Sequence, residues 1–97
     1  MSTTENKEPN DGYRLPDNTT MQHVAKLAIV EDKPIMLDYW TDSLETPAKV
    51  LIGVKKDSGE KLLVKNAEEY TSPIIKIYKT NECYIICTEN SIYLVSS

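Results

Sequence analysis

The sequence predicts an α+β domain with one N-terminal helix and about six antiparallel strands, forming an open sheet or a small barrel. Beyond residue 34, apolar and polar side chains alternate over short segments, which is the period of a β-strand. A single segment before residue 34 has apolar residues at helical spacing. Short polar turns separate the strand segments, and short turns favour antiparallel neighbours.

Residues 1–18, MSTTENKEPNDGYRLPDN, are expected to form a disordered tail, with one folded domain over 19–97. The tail is rich in polar residues, Pro and Gly and has little that a core would use. No apolar run approaches the roughly 20 residues that cross a bilayer, and no basic and apolar leader is visible. An intracellular protein is therefore expected.

A helix is predicted over residues 20–30. Thr19 and Gln22 have the spacing of a capping box, the pattern that marks a helix start. The apolar residues that follow recur at helical spacing: Met21, Val24, Ala25 and Ala28. The competing interpretation pairs KLAIV with PIMLDYW as a hairpin, because Ile29 and Val30 are β-branched.

Six strands follow in the predicted order. PIMLDYW is the first, and KVLIGVK and KLLVK form a hairpin whose loop contains Gly59, a residue suited to a left-handed turn position. IIKIYK, CYIICT and SIYLV form a meander with short turns between them. Three of the six strands are expected to bury one face only, with these residues inward: Val50, Ile52, Val54, Leu62, Val64, Ile75 and Ile77.

The last two strands, CYIICT and SIYLV, are apolar on both faces. One helix covers only one side of a sheet, so something else must cover the second side. Three explanations are open: closure of a barrel, a partner surface, or a central position of these strands under a fold of the N-terminal segment.

The first functional hypothesis is a non-enzymatic protein-protein interaction or assembly module, in which the chain associates with itself or with another protein. The expected interface is the second face of the last two strands, together with the only tryptophan: Tyr84, Ile86, Tyr93, Val95 and Trp40. Aromatic residues are enriched at interface hot spots, although the first interpretation of Trp40 is a core anchor, with the hot spot as the alternative.

The alternative hypothesis is a small nucleic-acid-binding domain. Seven of the eleven basic residues fall between Lys49 and Lys79, in a chain whose net charge is −4. Strand alternation places several of them on one sheet face with an aromatic residue: Lys49, Lys55, Lys61, Lys65, Lys76 and Tyr78. Lysines beside an aromatic platform are typical of single-strand binders, but outward lysines also keep sheets soluble.

Catalytic, metal and cofactor sites are not expected. His23 is the only histidine, and no nucleophile elbow, phosphate-binding loop or zinc-protease motif occurs. Asp38 and Asp42 are interpreted as part of a solvated acidic loop, with a carboxylate-dependent hydrolase as the remaining alternative. Cys83 and Cys87 lie four residues apart in one strand, roughly 13 Å, which is too far for a disulfide. Both are expected to be buried thiols.

Three segments, IVEDKPIMLDYW, GEKLLVKNAEEYTSPI and TENSIYLV, resemble small uncharacterised proteins encoded by large double-stranded DNA viruses of protists and algae. The resemblance covers residues 29–95. It implies a virus-encoded protein that acts in the host cell cytoplasm or in the virion, and it assigns no site residues.

Overall fold

The computed structural model describes residues 15–45 and 48–96. The described elements, in chain order, are α1 (Asn18–Glu31), β1 (Ile35–Met36), α2 (Trp40–Ser43), β2 (Leu51–Val54), β3 (Lys61–Asn66), β4 (Glu69–Tyr70), β5 (Ile74–Lys79), β6 (Cys83–Thr88) and β7 (Ile92–Ser96). The α+β class is confirmed. The expected six strands are seven in the described chain, and they form two sheets rather than one open sheet or a closed barrel.

The large sheet has four strands in the order β1-β7-β6-β5. Strands β5, β6 and β7 form an antiparallel meander, as predicted, whereas β1 runs parallel to β7 with Ile35 opposite Ile92. The expectation of antiparallel strands throughout is therefore wrong at β1. Parallel neighbours need a long crossover, and the chain between β1 and β7 supplies it by forming α2 and all the other strands.

The small sheet has three antiparallel strands in the order β2-β3-β4. Its β2–β3 hairpin is the predicted one, and Gly59 in the loop has a positive φ of 76°. The register places Ile52 opposite Leu63, so these two side chains share a face.

Helix α1 confirms the helix predicted over 20–30 and excludes the KLAIV hairpin. It begins at Asn18, inside the expected tail, whose residues 1–14 lie outside the described part of the chain. The capping box is wrong, because the N-cap is Asp17 and its side chain makes no capping hydrogen bond. The helix ends where Asp32 takes a left-handed conformation and its N–H bonds to the carbonyl of Ala28.

The predicted strand PIMLDYW is wrong beyond Met36. The chain turns at Asp38 and Tyr39, and α2 begins at Trp40. This turn places Tyr39 and Trp40 in different cores, one on each side of the large sheet.

Two cores lie on the two faces of the large sheet. The first core lies under α1 and contains Val24, Trp40, Cys83, Ile85, Cys87, Ile92 and Leu94. The second core lies under the small sheet and contains Tyr39, Leu63, Ile86 and Val95. Strands β6 and β7 are thus central and covered on both sides by their own chain, which explains why both of their faces are apolar.

The expected inward face of β2 is correct, since Val50 packs against the second core and Ile52 lies opposite Leu63, although Ile52 and Val54 are 44% and 61% exposed. In β3, Leu63 was expected outward and is 1% exposed in the second core, and Leu62, expected inward, is buried as well. In β5 the pairing with β6 shifts between Ile74 and Lys76, so Ile74 packs on the second core and Ile75 is exposed. A bulge of this kind inverts the facing of the residues before it.

Candidate functional site

The face predicted as an interface is enclosed by its own chain. Ile86 and Val95 are 2% and 7% exposed in the second core, and Tyr84 and Tyr93 pack against that core. The ring of Tyr93 meets the ring of Tyr39 edge-on, with centroids 5.3 Å apart. Trp40 is buried in the first core. The expectation that Tyr84, Ile86, Tyr93 and Val95 form an uncovered surface is therefore wrong, because the small sheet covers the second face, and Trp40 is a core residue.

The small sheet leaves an open apolar cleft beside β5, which we call the inter-sheet cleft. It has a volume of about 350 Å³. Its lining residues are Ser43, Ala48, Val50, Leu51, Ile52, Leu63, Ile77, Tyr84, Ile86, Val95 and Ser96. None of these carries a charge. Ser43 is already engaged, since its hydroxyl donates to the carbonyl of Trp40 at 2.6 Å and accepts from the N–H of Ser96 at 2.9 Å.

Strand β5 borders this cleft and is an edge strand of the large sheet. The N–H of Thr80 donates to the carbonyl of Cys83 at 2.9 Å, which fixes the hydrogen-bonding phase of the β5–β6 hairpin. Because hydrogen-bonded and non-bonded pairs alternate, Tyr78 bonds to β6 while Ile77 and Lys79 direct their backbone groups outward. No described strand pairs with that outer edge.

A second apolar recess lies on the other face of β5, beneath α1, and we call it the helix-side recess. It has a volume of about 300 Å³. Its lining residues are His23, Lys26, Leu27, Val30, Tyr78, Lys79, Thr80 and Ile85. The first turn of α1 is fixed to the end of β5 by a hydrogen bond of 2.9 Å from the hydroxyl of Thr20 to that of Thr80.

The free edge of β5 therefore lies between two apolar recesses. The strand is exposed on both sides, with Ile77 40% and Tyr78 37% accessible. Ile77 lines the inter-sheet cleft and Tyr78 lines the helix-side recess. An exposed six-residue edge strand offers a template for pairing with another chain, and Lys76, Lys79 and the bulge before Lys76 are features that limit indiscriminate pairing.

Three lysines lie beside this edge. The ammonium of Lys76 lies 5.7 Å from the ring centroid of Tyr78, and that of Lys79 lies 5.7 Å from the centroid of Tyr84. Lys26 reaches the helix-side recess from α1. The described residues that line the two recesses include no carboxylate.

The six residues predicted for nucleic-acid binding are not brought onto one face. Lys65 forms an ion pair with Asp42, with Nζ 3.1 Å from Oδ2, and its Nζ lies 4.9 Å from the ring centroid of Tyr39. Lys76 and Tyr78 lie on the α1 side of the large sheet, opposite Cys87 and Ile85. Lys49, Lys55 and Lys61 are exposed residues that flank or belong to β2 and β3 in the small sheet.

Two buried groups have perturbed ionisation. Burial raises the pKa of the Cys87 thiol above its usual value, and burial together with the neighbouring Tyr93 raises the pKa of the Tyr39 hydroxyl. Both cysteines are free and buried, as predicted. These are properties of the cores, and neither group lines a recess beside β5.

Within residues 15–45 and 48–96, no three His, Cys, Asp or Glu side chains are grouped closely enough to hold a metal ion. Over the same ranges, no helix has the length and apolarity required to span a membrane.

Comparison with protein-family models, curated proteins and solved structures gave no match. The resemblance to viral proteins stays a prediction.

The sequence predicted that Ile77 is buried, whereas it is partly exposed, and it did not predict that Lys26 and Val30 of α1 line a recess. One signal was present: Ile29 and Val30 lie off the helix face that carries Val24 and Ala28, and they are 81% and 71% exposed. Apolar residues on the outer side of an amphipathic helix indicate surface available for contact.

Proposed function

We propose that the chain is a non-enzymatic protein-interaction domain that binds an extended segment of another polypeptide as an added strand on β5. The observation that carries this proposal is the free edge of β5 between two apolar recesses. Strand addition gains affinity from main-chain hydrogen bonds and specificity from pockets that receive alternate side chains.

The main-chain hydrogen bonds of this proposal are made by the backbone N–H and C=O groups of Ile77 and Lys79, which point away from β6. These residues are two apart, which is the repeat at which an added antiparallel strand exchanges pairs of hydrogen bonds. Side chains of the added strand point alternately to the two sheet faces, so one segment reaches both recesses. The other described edge strands are shorter, with two residues in β1 and β4 and four in β2.

Nucleic-acid binding is not adopted as a second candidate. Its aromatic platform, Tyr78, is separated from the lysines of β3 by the large sheet, and Lys65 is held by Asp42. A single strand of nucleic acid needs lysines and aromatic rings along one continuous groove.

The test uses a labelled, end-capped heptapeptide of alternating valine and threonine, with binding followed by fluorescence anisotropy. We expect binding to the native chain, and loss of binding when alternate peptide nitrogens are methylated, because the carbonyls of Ile77 and Lys79 then lose their donors. Ile77→Pro should also prevent binding, since it removes an outward N–H that β6 does not use.

Val54→Pro is the matched control. The N–H of Lys55 bonds to the carbonyl of Glu60 at 2.8 Å, so alternation directs the N–H of Val54 outward from β2. This variant places the same substitution on the edge of the small sheet and should leave binding unchanged. Absence of binding up to the solubility limit of the peptide, or equal binding of the methylated peptide, contradicts the proposal.

A further inference from the structure

We propose that the segment accepted by β5 alternates carboxylate and apolar side chains, with the carboxylates on the α1 side and the apolar groups in the inter-sheet cleft. This inference rests on the proposed strand addition and specifies the chemistry of the partner. It follows from the different character of the two surfaces that flank the same edge.

The α1 side of β5 is cationic. Lys76 lies opposite Cys87 and Tyr78 opposite Ile85, and both Cys87 and Ile85 belong to the first core, so Lys76 and Tyr78 face α1. Lys26 approaches the same side from the helix. An added strand therefore meets two ammonium groups on this face. A carboxylate there gains attraction from both, and its methylene stem covers the apolar floor of the recess.

The cleft side of β5 requires apolar groups. Ile77 lies opposite Ile86 of the second core and therefore faces the cleft, whose described lining residues are uncharged. Beside Ile52 and Ile77 a charged side chain loses hydration without a partner, since the Lys79 ammonium lies over Tyr84, at the end of the strand. An apolar side chain loses water-exposed surface against Ile52 and Ile77, which is favourable.

Charge also argues against a second copy as the occupant. Antiparallel pairing of two β5 strands about a two-fold axis at Ile77 places the Lys76 side chains of the two copies in diagonal positions on the same face. Like charges on neighbouring strands are destabilising, and lysines on an edge are a common means of preventing such pairing. Carboxylates on the α1 side of an added strand make Lys76 an attractive group instead.

The test compares three labelled heptapeptides that share their valines and carry glutamate, threonine or lysine at the alternate positions. The glutamate peptide should bind most tightly and the lysine peptide least, and added salt should weaken only the glutamate peptide. In the double variant Lys26→Glu and Lys76→Glu, the glutamate peptide should bind about tenfold more weakly and the lysine peptide more tightly. Lys55→Glu with Lys56→Glu is the control of equal charge change, placed next to the β2–β3 turn.

The outcomes separate the two proposals. Equal affinity for the three peptides, or a glutamate preference that survives the charge reversal, overturns the acidic partner and leaves strand addition in place. Failure of all three peptides to bind overturns both. A concentration-dependent dimer in sedimentation that Ile77→Pro dissociates would place a second copy on β5, and would also overturn the acidic partner.

Discussion

The hydroxyl of Thr20 lies 2.9 Å from the hydroxyl of Thr80 and donates a hydrogen bond to it, joining α1 to the end of β5. The Thr80 hydroxyl in turn donates a hydrogen bond to the carbonyl of Cys83 at 3.2 Å. This relay links the first turn of α1 to the β5–β6 turn beside the helix-side recess, which Thr80 lines.

Thr20→Val should lower the free energy of unfolding by about 1 kcal/mol, because it keeps the shape of a fully buried side chain and removes its hydrogen bond. Urea denaturation measures the change. Thr19→Val alters an exposed residue of the same helix and should stay within about 0.5 kcal/mol of the native chain. Equal stability of the two variants would show that the relay contributes nothing.

Thr71 should be more sensitive than Thr20. Its hydroxyl accepts from the N–H of Leu63 at 3.1 Å, and its own N–H donates to the Leu63 carbonyl at 2.9 Å. Thr71→Val leaves the buried Leu63 N–H without its acceptor, and we expect a loss of about 1–3 kcal/mol in unfolding free energy. Thr71→Ser keeps the hydroxyl and should recover most of that loss. If the Ser variant is as unstable as the Val variant, the lost methyl group rather than the hydrogen bond accounts for the effect.

Stability should fall at alkaline pH. The folded state raises the pKa of Cys87 above 9.0 and that of Tyr39 above 10.0, so the unfolded chain loses these protons first. The unfolded state then binds fewer protons, and the free energy of unfolding decreases as pH rises beyond 9. Below about pH 8 both groups are neutral in either state and contribute no slope.

Denaturation between pH 8 and 11 tests this dependence, with Cys87→Ala and Tyr39→Phe as comparisons. Each substitution changes the absolute stability, so the slope against pH is the informative quantity. Each should make the alkaline slope shallower. A slope identical to that of the native chain in both variants would assign the alkaline loss to other groups.

The two thiols should be protected from modification. Cys83 is fully buried and Cys87 is 5% exposed, and neither forms a disulfide. A water-soluble thiol reagent should therefore react at the rate of structural opening, and rapidly with two equivalents in denaturant. Reaction of either thiol in the native chain at the rate of a free cysteine would contradict the burial of β6.

Local signals in the sequence predicted much of the fold. The helix follows from apolar spacing, the hairpins follow from short polar turns, and the positive φ of Gly59 follows from the loop that contains it. Because both faces of β6 and β7 are apolar, the sequence correctly predicted that both faces would have to be covered. The identity of the second cover was not predictable, because the packing of one sheet on another depends on contacts between residues distant in sequence.

Two errors have a common physical origin. In β3, Leu63 was expected outward and is buried, as is Leu62, and in β5, Ile75 was expected inward and is exposed. Alternation gives two faces but does not say which one meets the core when both contain apolar residues. The strand register and the bulge before Lys76 determine which face meets the core, and neither can be predicted from the local alternation of apolar residues.

Local sequence patterns could not predict the candidate site either. IIKIYK reads as an ordinary half-buried strand, and only the strand order places it at an edge. The helix-side recess combines residues of α1 with residues some fifty positions later. The predicted interface residues Tyr84, Ile86 and Val95 did lie near the site, since they form part of the floor of the inter-sheet cleft.

Amide hydrogen exchange at β5 tests the central claim most directly. In the free chain, the N–H groups of Ile77 and Lys79 should exchange rapidly while that of Tyr78, bonded to β6, exchanges slowly. Saturation with the valine–glutamate peptide should slow the amide exchange of Ile77 and Lys79 and leave that of Tyr78 unchanged. Peptide binding that leaves the exchange of Ile77 and Lys79 unaltered would contradict strand addition at this edge.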